Sequence, residues 1–198
     1  DEQRRLRDTA CRACSNGVAR SHLLSYEREG ALLEELFTHD GSGTLIAQNP
    51  YEQARAAEVE DIASILELIR PLEEDGALVK RSRERLEEEI SRFLILERDR
   101  RVIACAALYP YSAEKIGEIA CVATHPDYRG AGRAEQLLSE LLGQASALSL
   151  THVFALTTQS THWFLEQGFE PATLEEMPVE KQRLYNWQRN ATVLRRTV

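Results

Sequence analysis

The chain has 198 residues, 43% hydrophobic and 28% charged, which is the composition of an ordinary globular protein with material for a sizeable core. Its 24 Lys and Arg against 32 Asp and Glu leave a net charge of −8, which argues against nucleic acid because phosphate binding needs a basic footprint. No apolar run approaches the roughly 18 residues of a membrane span, and the opening DEQRRLRDTACRACSNG lacks the apolar stretch of a secretory signal.

Residues 1–47 differ in character from the rest of the chain. A basic, helix-like start carries Cys11 and Cys14 as a lone C-x-x-C, with no second pair and no H-x3-5-H after it, so no metal is expected. Cys105 and Cys121 lie in apolar runs and read as small core residues, and all four thiols fit a reducing cytoplasm. GALLEELFTHDGSGTLIA reads as a helix with Ala31, Leu32, Leu33, Leu36 and Phe37, then a glycine-rich turn and a short strand. The polar stretch QNPYEQ (48–53) is the expected boundary.

Beyond it, Ile62, Ile65, Leu66 and Ile69 recur at helical spacing, and Pro71 is expected to end that helix. RSRERLEEEISRFL predicts a second helix with Leu86, Ile90, Phe93 and Leu94 on one side. Three strand-like runs come next: LILER, VIACAALYPY and KIGEIACVAT. A leucine-striped helix (Ala134, Leu137, Leu138, Leu141, Leu142, Ala145, Leu148), the strand HVFALTT, the short helix STHWFLEQ and the strands GFEPA and YNWQRNATVLRR complete the order β-α-α-β-β-β-α-β-α-β-β.

Between the third of those runs and the striped helix stands HPDYRGAGRAEQLL. Two glycines there mark a turn that needs positive φ or a close approach of the backbone. The nucleotide P-loop G-x-x-x-x-G-K-[ST] is absent, and for a dinucleotide fingerprint the third small residue comes one position early. What remains is R-G-x-G-x-A, from Arg129, Gly130, Ala131, Gly132, Arg133 and Ala134. It resembles the acetyl-CoA pyrophosphate loop of the GCN5-related N-acetyltransferase family. Backbone N–H groups at a helix start, with the helix dipole behind them, suit such an anion.

The resemblance implies an α+β fold, a mixed twisted sheet flanked by helices. It also gives a role to the strand before the loop. Strand alternation puts Glu118 on one face with Ile116, Ala120 and Val122. A carboxylate there is ordinarily solvent-facing. In the family this strand splays from its neighbour to make the acetyl pocket, and a backbone N–H, here of Cys121 or Val122, polarises the thioester carbonyl. Transfer to an amine needs a base because an ammonium is not nucleophilic, and Glu118 is the carboxylate of that strand. At WFLEQGF the sequence departs from the family: the position that often holds an acid tyrosine is Phe164, leaving Thr157 and Thr158 as the nearest hydroxyls.

Several blocks narrow the match. LVKRSRERLEEEI, IACAALYP, GEIACVATHPDYR, FALTTQSTHWFLEQGF and YNWQRNATVL are similar to the transferase domain of the bacterial N-acetylglutamate synthases. DTACRACSNGVARSHLL and GALLEELFTHDGSGTLI resemble the end of the amino-acid-kinase-like domain that precedes it. The resemblance implies acetyl transfer from acetyl-CoA to the α-amino group of L-glutamate, the first step of arginine biosynthesis. Glu118 would be the general base and Thr157 the general acid. Arg81, Lys181 and Arg189 would hold the substrate carboxylates, with Lys181 standing for an arginine and so offering a point charge instead of a fork. His22, Glu35 and Gly41 keep the spacing of an arginine-effector signature. Residues 1–47 are thus expected to be a remnant of the kinase-like domain, too short to bury a core alone, and 48–198 the transferase. Arginine would act as feedback effector only with an intact kinase-like domain, and a homo-oligomer is compatible with the reading. The alternatives are a transferase for another small amine and a non-catalytic acetyl-CoA-binding module.

Overall fold

The computed structural model describes residues 2–38, 41–47 and 52–198. The chain divides into two compact units, Asp1–Gln53 and Ala54–Val198. Most of the expected boundary stretch, 48–51, lies outside the described residues.

In the first unit, α1 (Glu2–Ser15) packs against an antiparallel pair, β1 (Arg20–Leu23) and β2 (Thr44–Ala47), with α2 (Ala31–Phe37) between them in the chain. The C-x-x-C thiols are in different surroundings. Cys11 is exposed, whereas Cys14 is buried and donates to the Ile46 carbonyl at 3.2 Å.

The second unit is built on a sheet of order β3-β4-β5-β6-β7-β9-β8 among the described residues. Its strands are β3 (Glu52–Ala56), β4 (Phe93–Arg98), β5 (Arg101–Tyr111), β6 (Ile116–Thr124), β7 (His152–Thr157), β8 (Glu170–Pro171) and β9 (Thr192–Thr197). Its helices are α3 (Ile62–Glu74), α4 (Arg83–Glu89), α5 (Arg133–Ala147), α6 (Thr161–Glu166) and α7 (Val179–Arg183). Neighbouring pairs from β4 onward are antiparallel except β6–β7, which is parallel. On one face Ile62, Ile65 and Ile69 of α3 and Leu86 of α4 meet Phe93, Ile95, Cys105 and Ala107. On the other, Leu137, Leu138 and Leu141 of α5 meet Leu96, Ile103 and Ala104. The three isoleucines are fully buried and contribute about 1.5–3 kcal/mol each.

Two expected boundaries move. Pro71 does not end α3, which runs on to Glu74. A proline loses its own N–H bond and crowds the turn before it, but the residues after it can continue the helix, with the Asp75 N–H reaching the Pro71 carbonyl at 3.0 Å. Phe93 and Leu94 are strand residues: α4 stops at Glu89, a 3-10 turn spans Ile90–Arg92, and β4 begins at Phe93. The buried run Phe93-Leu94-Ile95-Leu96 has cores on both faces to fill, so it reads as helical spacing until its burial is seen.

Candidate active site

The parallel pairing of β6 with β7 covers only Ile116–Glu118 against His152–Phe154. Beyond Glu118 the strands part, while β7 stays paired with β9 as far as Thr157. The gap opens into a cavity of about 610 Å³ lined by β6 residues 119–124, the end of β7, the 129–135 turn, and Leu72, Ala77 and Leu78 from the α3–α4 side. Residues 119–124 of β6 therefore face it with backbone groups that β7 does not engage.

A bulge shapes this edge. Ala107 pairs with Ala120 but Cys105 with Ala123, so β6 carries an extra residue, and Cys121 takes a left-handed φ of 55°. The expected common face is thereby broken. Ala120 and Cys121 pack on the α3 side, whereas Val122 packs with the α5 cluster. Glu118 keeps its face with Ala120 but not with Val122, because the bulge inverts the alternation beyond it. The Cys105 Sγ contacts the Cys121 carbonyl at 3.5 Å, and its bond with the Cys121 thiol together with full burial holds the Cys105 thiol well above the ordinary range.

The glycine turn sits at the cavity mouth. Gly130 and Gly132 have φ of 78° and 73°, and a Cβ built on either meets no atom within 4 Å. Their conformation favours glycine, and both residues line the cavity. Gly132 precedes the first turn of α5, so backbone N–H groups and the helix dipole converge there. Arg129 and Arg133 are drawn back onto the turn, donating to the Thr124 carbonyl at 3.3 Å and the Tyr128 carbonyl at 2.7 Å. Ala131 and Ala134 belong to the same turn, and Ala134 lines the cavity.

Glu118 is buried, at 6% exposure. Lys181 Nζ lies 2.8 Å from its Oε2, and the Tyr111 hydroxyl donates to the same oxygen at 3.4 Å. Burial first, and the Glu118 charge second, push the Tyr111 phenol up from its ordinary value, so it stays protonated and able to donate. Thr157 is buried at the end of β7, where its hydroxyl accepts from the Ser160 N–H at 2.8 Å and the Gln159 N–H at 3.3 Å. Both bonds use oxygen lone pairs and leave its own proton to be given elsewhere.

The expected substrate cations have different partners. Lys181 joins Glu118. Arg189 reaches from the segment before β9 to the Gly76 and Ala77 carbonyls at 3.1 and 2.8 Å. Arg81 ends the same loop, donating to the Val79 carbonyl at 3.2 Å, with a buried Nε that has no partner among the described residues. Gln159 and Thr158 also donate to that loop, at Asp75 and Gly76. Residues 75–81 are thus tied to the end of β7 and to the tail. Phe164 is core, packed edge-on between Trp163 and Phe169, which accounts for an aromatic without a hydroxyl.

The sequence reading missed Tyr111, although two tyrosines two apart in an apolar strand, Tyr109 and Tyr111, were a usable signal. It also missed the 75–78 loop and α7, whose roles depend on contacts far along the chain.

In the first unit, Glu35 bonds to His22 and accepts from the Ser42 and Gly43 N–H groups at 2.7 and 2.9 Å. His22 first, and the Ser42 N–H next, hold the Glu35 carboxyl below its ordinary value. Gly41 has φ of 65°, and a side chain there would collide with the Glu35 carboxylate. The three signature residues do come together. Among the described residues no group of three or more His, Cys, Asp or Glu is arranged for a metal, and no helix is long and apolar enough to cross a membrane.

The family model of the Acetyltransferase (GNAT) family matches residues 59–169. The chain is 55% identical over 189 residues to an amino-acid acetyltransferase of Aeromonas salmonicida, covering 96% of this chain and 43% of that protein. It is 57% identical over 185 residues to one of Serratia proteamaculans, covering 93% and 42%. Among solved structures, N-acetylglutamate synthase of Neisseria gonorrhoeae complexed with coenzyme A and L-arginine aligns with a TM-score of 0.86 at 40% identity, over 100% of this chain and 45% of that one. The same enzyme complexed with coenzyme A and N-acetyl-glutamate aligns at 0.72 and 42% identity, over 99% and 46%. The chain thus spans less than half the length of these relatives. The splayed parallel pair, the left-handed glycine turn before α5 and the match over 59–169 lead to one assignment: the chain belongs to the GNAT family of acetyltransferases.

Proposed function

We propose that the chain transfers the acetyl group of acetyl-CoA to the α-amino group of L-glutamate, giving N-acetyl-L-glutamate and CoA. The observation that carries this reading is a buried carboxylate, Glu118, at the last paired position before β6 and β7 part, bonded to a lysine and next in sequence to Ile119 of a cavity that a glycine turn also lines. The relatives support the choice of acceptor: those named above are amino-acid acetyltransferases, and the Neisseria enzyme is complexed with coenzyme A and N-acetyl-glutamate.

The cavity fits the co-substrate. The open side of Gly130 and Gly132 admits a pyrophosphate against the start of α5. The freed backbone of β6 near Cys121 and Val122 offers N–H donors to a thioester carbonyl. Glu118 takes the proton that the substrate ammonium must lose, and Thr157 gives one to the departing thiolate. Lys181, Arg81 and Arg189 supply positive charge for the carboxylates in an otherwise acidic protein. Residues 48–198 are read as the transferase and 1–47 as a remnant of an amino-acid-kinase-like domain. There His22, Glu35 and Gly41 belong to an arginine-effector site, with arginine acting as feedback effector only when that domain is whole. Four free thiols suit a reducing compartment such as the cytoplasm. A non-catalytic acetyl-CoA-binding module is the second reading, favoured by Phe164 in place of an acid tyrosine.

The test is thiol release from acetyl-CoA with a panel of amino acids, with the product identified by mass. Glutamate is expected to exceed glutamine and aspartate, because a site that pairs both carboxylates leaves a cation without a partner when one is missing. Equal use of glutamate and glutamine would end the glutamate assignment, and no thiol release with any amine would favour the binding module.

A further inference from the structure

Glu118 lies in mid-sheet, opposite Tyr109 of β5 and Phe154 of β7. A carboxylate removed from water needs a compensating charge. Lys181 provides it from α7, a five-residue helix outside the sheet. The lysine side chain is 28% exposed and that of Glu118 is 8% exposed, so the cation reaches inward from solvent to a fixed anion. Tyr111, in β5, donates to the same oxygen from within the sheet. The group read as the base and a group read as the carboxylate receptor are therefore bonded to each other.

Resting on the reading of this chain as an amino-acid acetyltransferase, we propose that the Glu118–Lys181 ion pair is the closed form of the amino-acid subsite, opened by exchange with a zwitterionic substrate. The substrate ammonium replaces Lys181 on Glu118, and a substrate carboxylate replaces Glu118 on Lys181. Every charge keeps a partner, so the exchange avoids leaving a buried ion alone. A plain amine has an ammonium for Glu118 and nothing for Lys181, and must displace the lysine without recompense. After the exchange a substrate N–H bond breaks toward a Glu118 oxygen, the electron pair stays on nitrogen, and the proton rests on the carboxyl. Tyr111 is a positioning residue that keeps the carboxylate oriented while its partner changes. Selection for a carboxylate and release of the base are then one event.

The experiment compares kcat/KM for L-glutamate and for n-butylamine in the wild-type chain, Lys181→Met, Lys181→Arg and Tyr111→Phe. Lys181→Met should lower glutamate use at least about tenfold and raise butylamine use, so that the preference for glutamate falls about 100-fold, the combined size of two modest electrostatic effects. Lys181→Arg should keep most of the preference. Tyr111→Phe should lower kcat for both amines alike with little change in the glutamate KM, and an unchanged kcat would remove Tyr111 from the role. Calorimetric CoA binding reports folding of each variant, and Lys181→Gln replaces Lys181→Met if the latter does not fold. A preference ratio preserved in the charge-free variant, with glutamate and butylamine lowered together or not at all, overturns the exchange while leaving the acetyltransferase reading standing. A wild-type chain that acetylates no amino acid overturns both.

Discussion

Thr157 performs one task the structure shows and a second proposed for it, and a pair of substitutions separates them. Thr157→Val removes the oxygen that accepts from the Ser160 and Gln159 N–H groups at 2.8 and 3.3 Å. A donor stranded in a dry interior costs about 1–3 kcal/mol. Ser160 and Gln159 are exposed residues, however, so water takes up part of the loss, and only the 2.8 Å bond is at full strength. The lower end of the range applies, about 1 kcal/mol, which for a chain of this size lowers Tm by about 2–4 °C. Thr157→Ser keeps the oxygen and should leave Tm nearly unchanged. If the hydroxyl donates the proton to the departing thiolate, the valine variant should lose about 10²–10⁴-fold in turnover and the serine variant less than about tenfold. Differential scanning calorimetry gives the first quantity, and thiol release at saturating substrates the second. A folded valine variant within threefold of wild-type turnover would refute the acid assignment, leaving Thr157 as the residue that holds the turn between β7 and α6.

Gly132→Val places a branched side chain on a left-handed backbone that lines the cavity, so CoA affinity should fall more than about tenfold in a protein that still folds; unchanged affinity by calorimetry removes the turn from the cofactor site. Arg189→Ala cuts the two bonds to the Gly76 and Ala77 carbonyls, and the glutamate KM should rise at least about tenfold with CoA binding intact; a KM within twofold of wild type would exclude Arg189 from the substrate site. The Arg55 guanidinium, bonded to both oxygens of Asp61, holds that carboxyl below its ordinary value of 3.8 against the opposing effect of burial. A depressed folded pKa contributes stability above the unfolded value and loses it as pH falls through the folded one. The Tm gap between wild type and Asp61→Asn should therefore be full at pH 6 and close on acidification below about 3.8, and a gap that stays constant to pH 2 would contradict the pairing.

The parts of the site that local sequence dictates were legible. Gly130 and Gly132 declare their turn because only glycine adopts φ near +75° without strain, and the striped helix after them is periodic enough to place. Glu118 stood out as a carboxylate in an apolar strand. What failed to show has a common cause, which is that it depends on pairing across the chain. The bulge at Cys121 exists because β5 offers one residue where β6 offers two, and Cys121 is not the glycine that usually marks such a place. The Glu118–Lys181 bond joins mid-sheet to a five-residue helix whose own pattern is too short to read. The bonds from Arg189 to the Gly76 and Ala77 carbonyls join positions more than a hundred residues apart, which no spacing along the chain announces. Phe93 and Leu94 fitted a helix by period and joined a strand by burial, an ambiguity inherent in short apolar runs.

The proposed acetyl transfer turns on whether Glu118, held where β6 and β7 part, accepts the proton that the amino acid would lose before it takes the acetyl group. Glu118→Gln keeps the shape of the side chain and removes the base. The decisive quantity is its turnover with saturating L-glutamate and acetyl-CoA, measured as thiol release beside a calorimetric titration of CoA. A base at this position requires a fall of about 10²–10⁴-fold with CoA affinity unchanged; turnover within a few-fold of wild type, with CoA still bound, would place the base elsewhere.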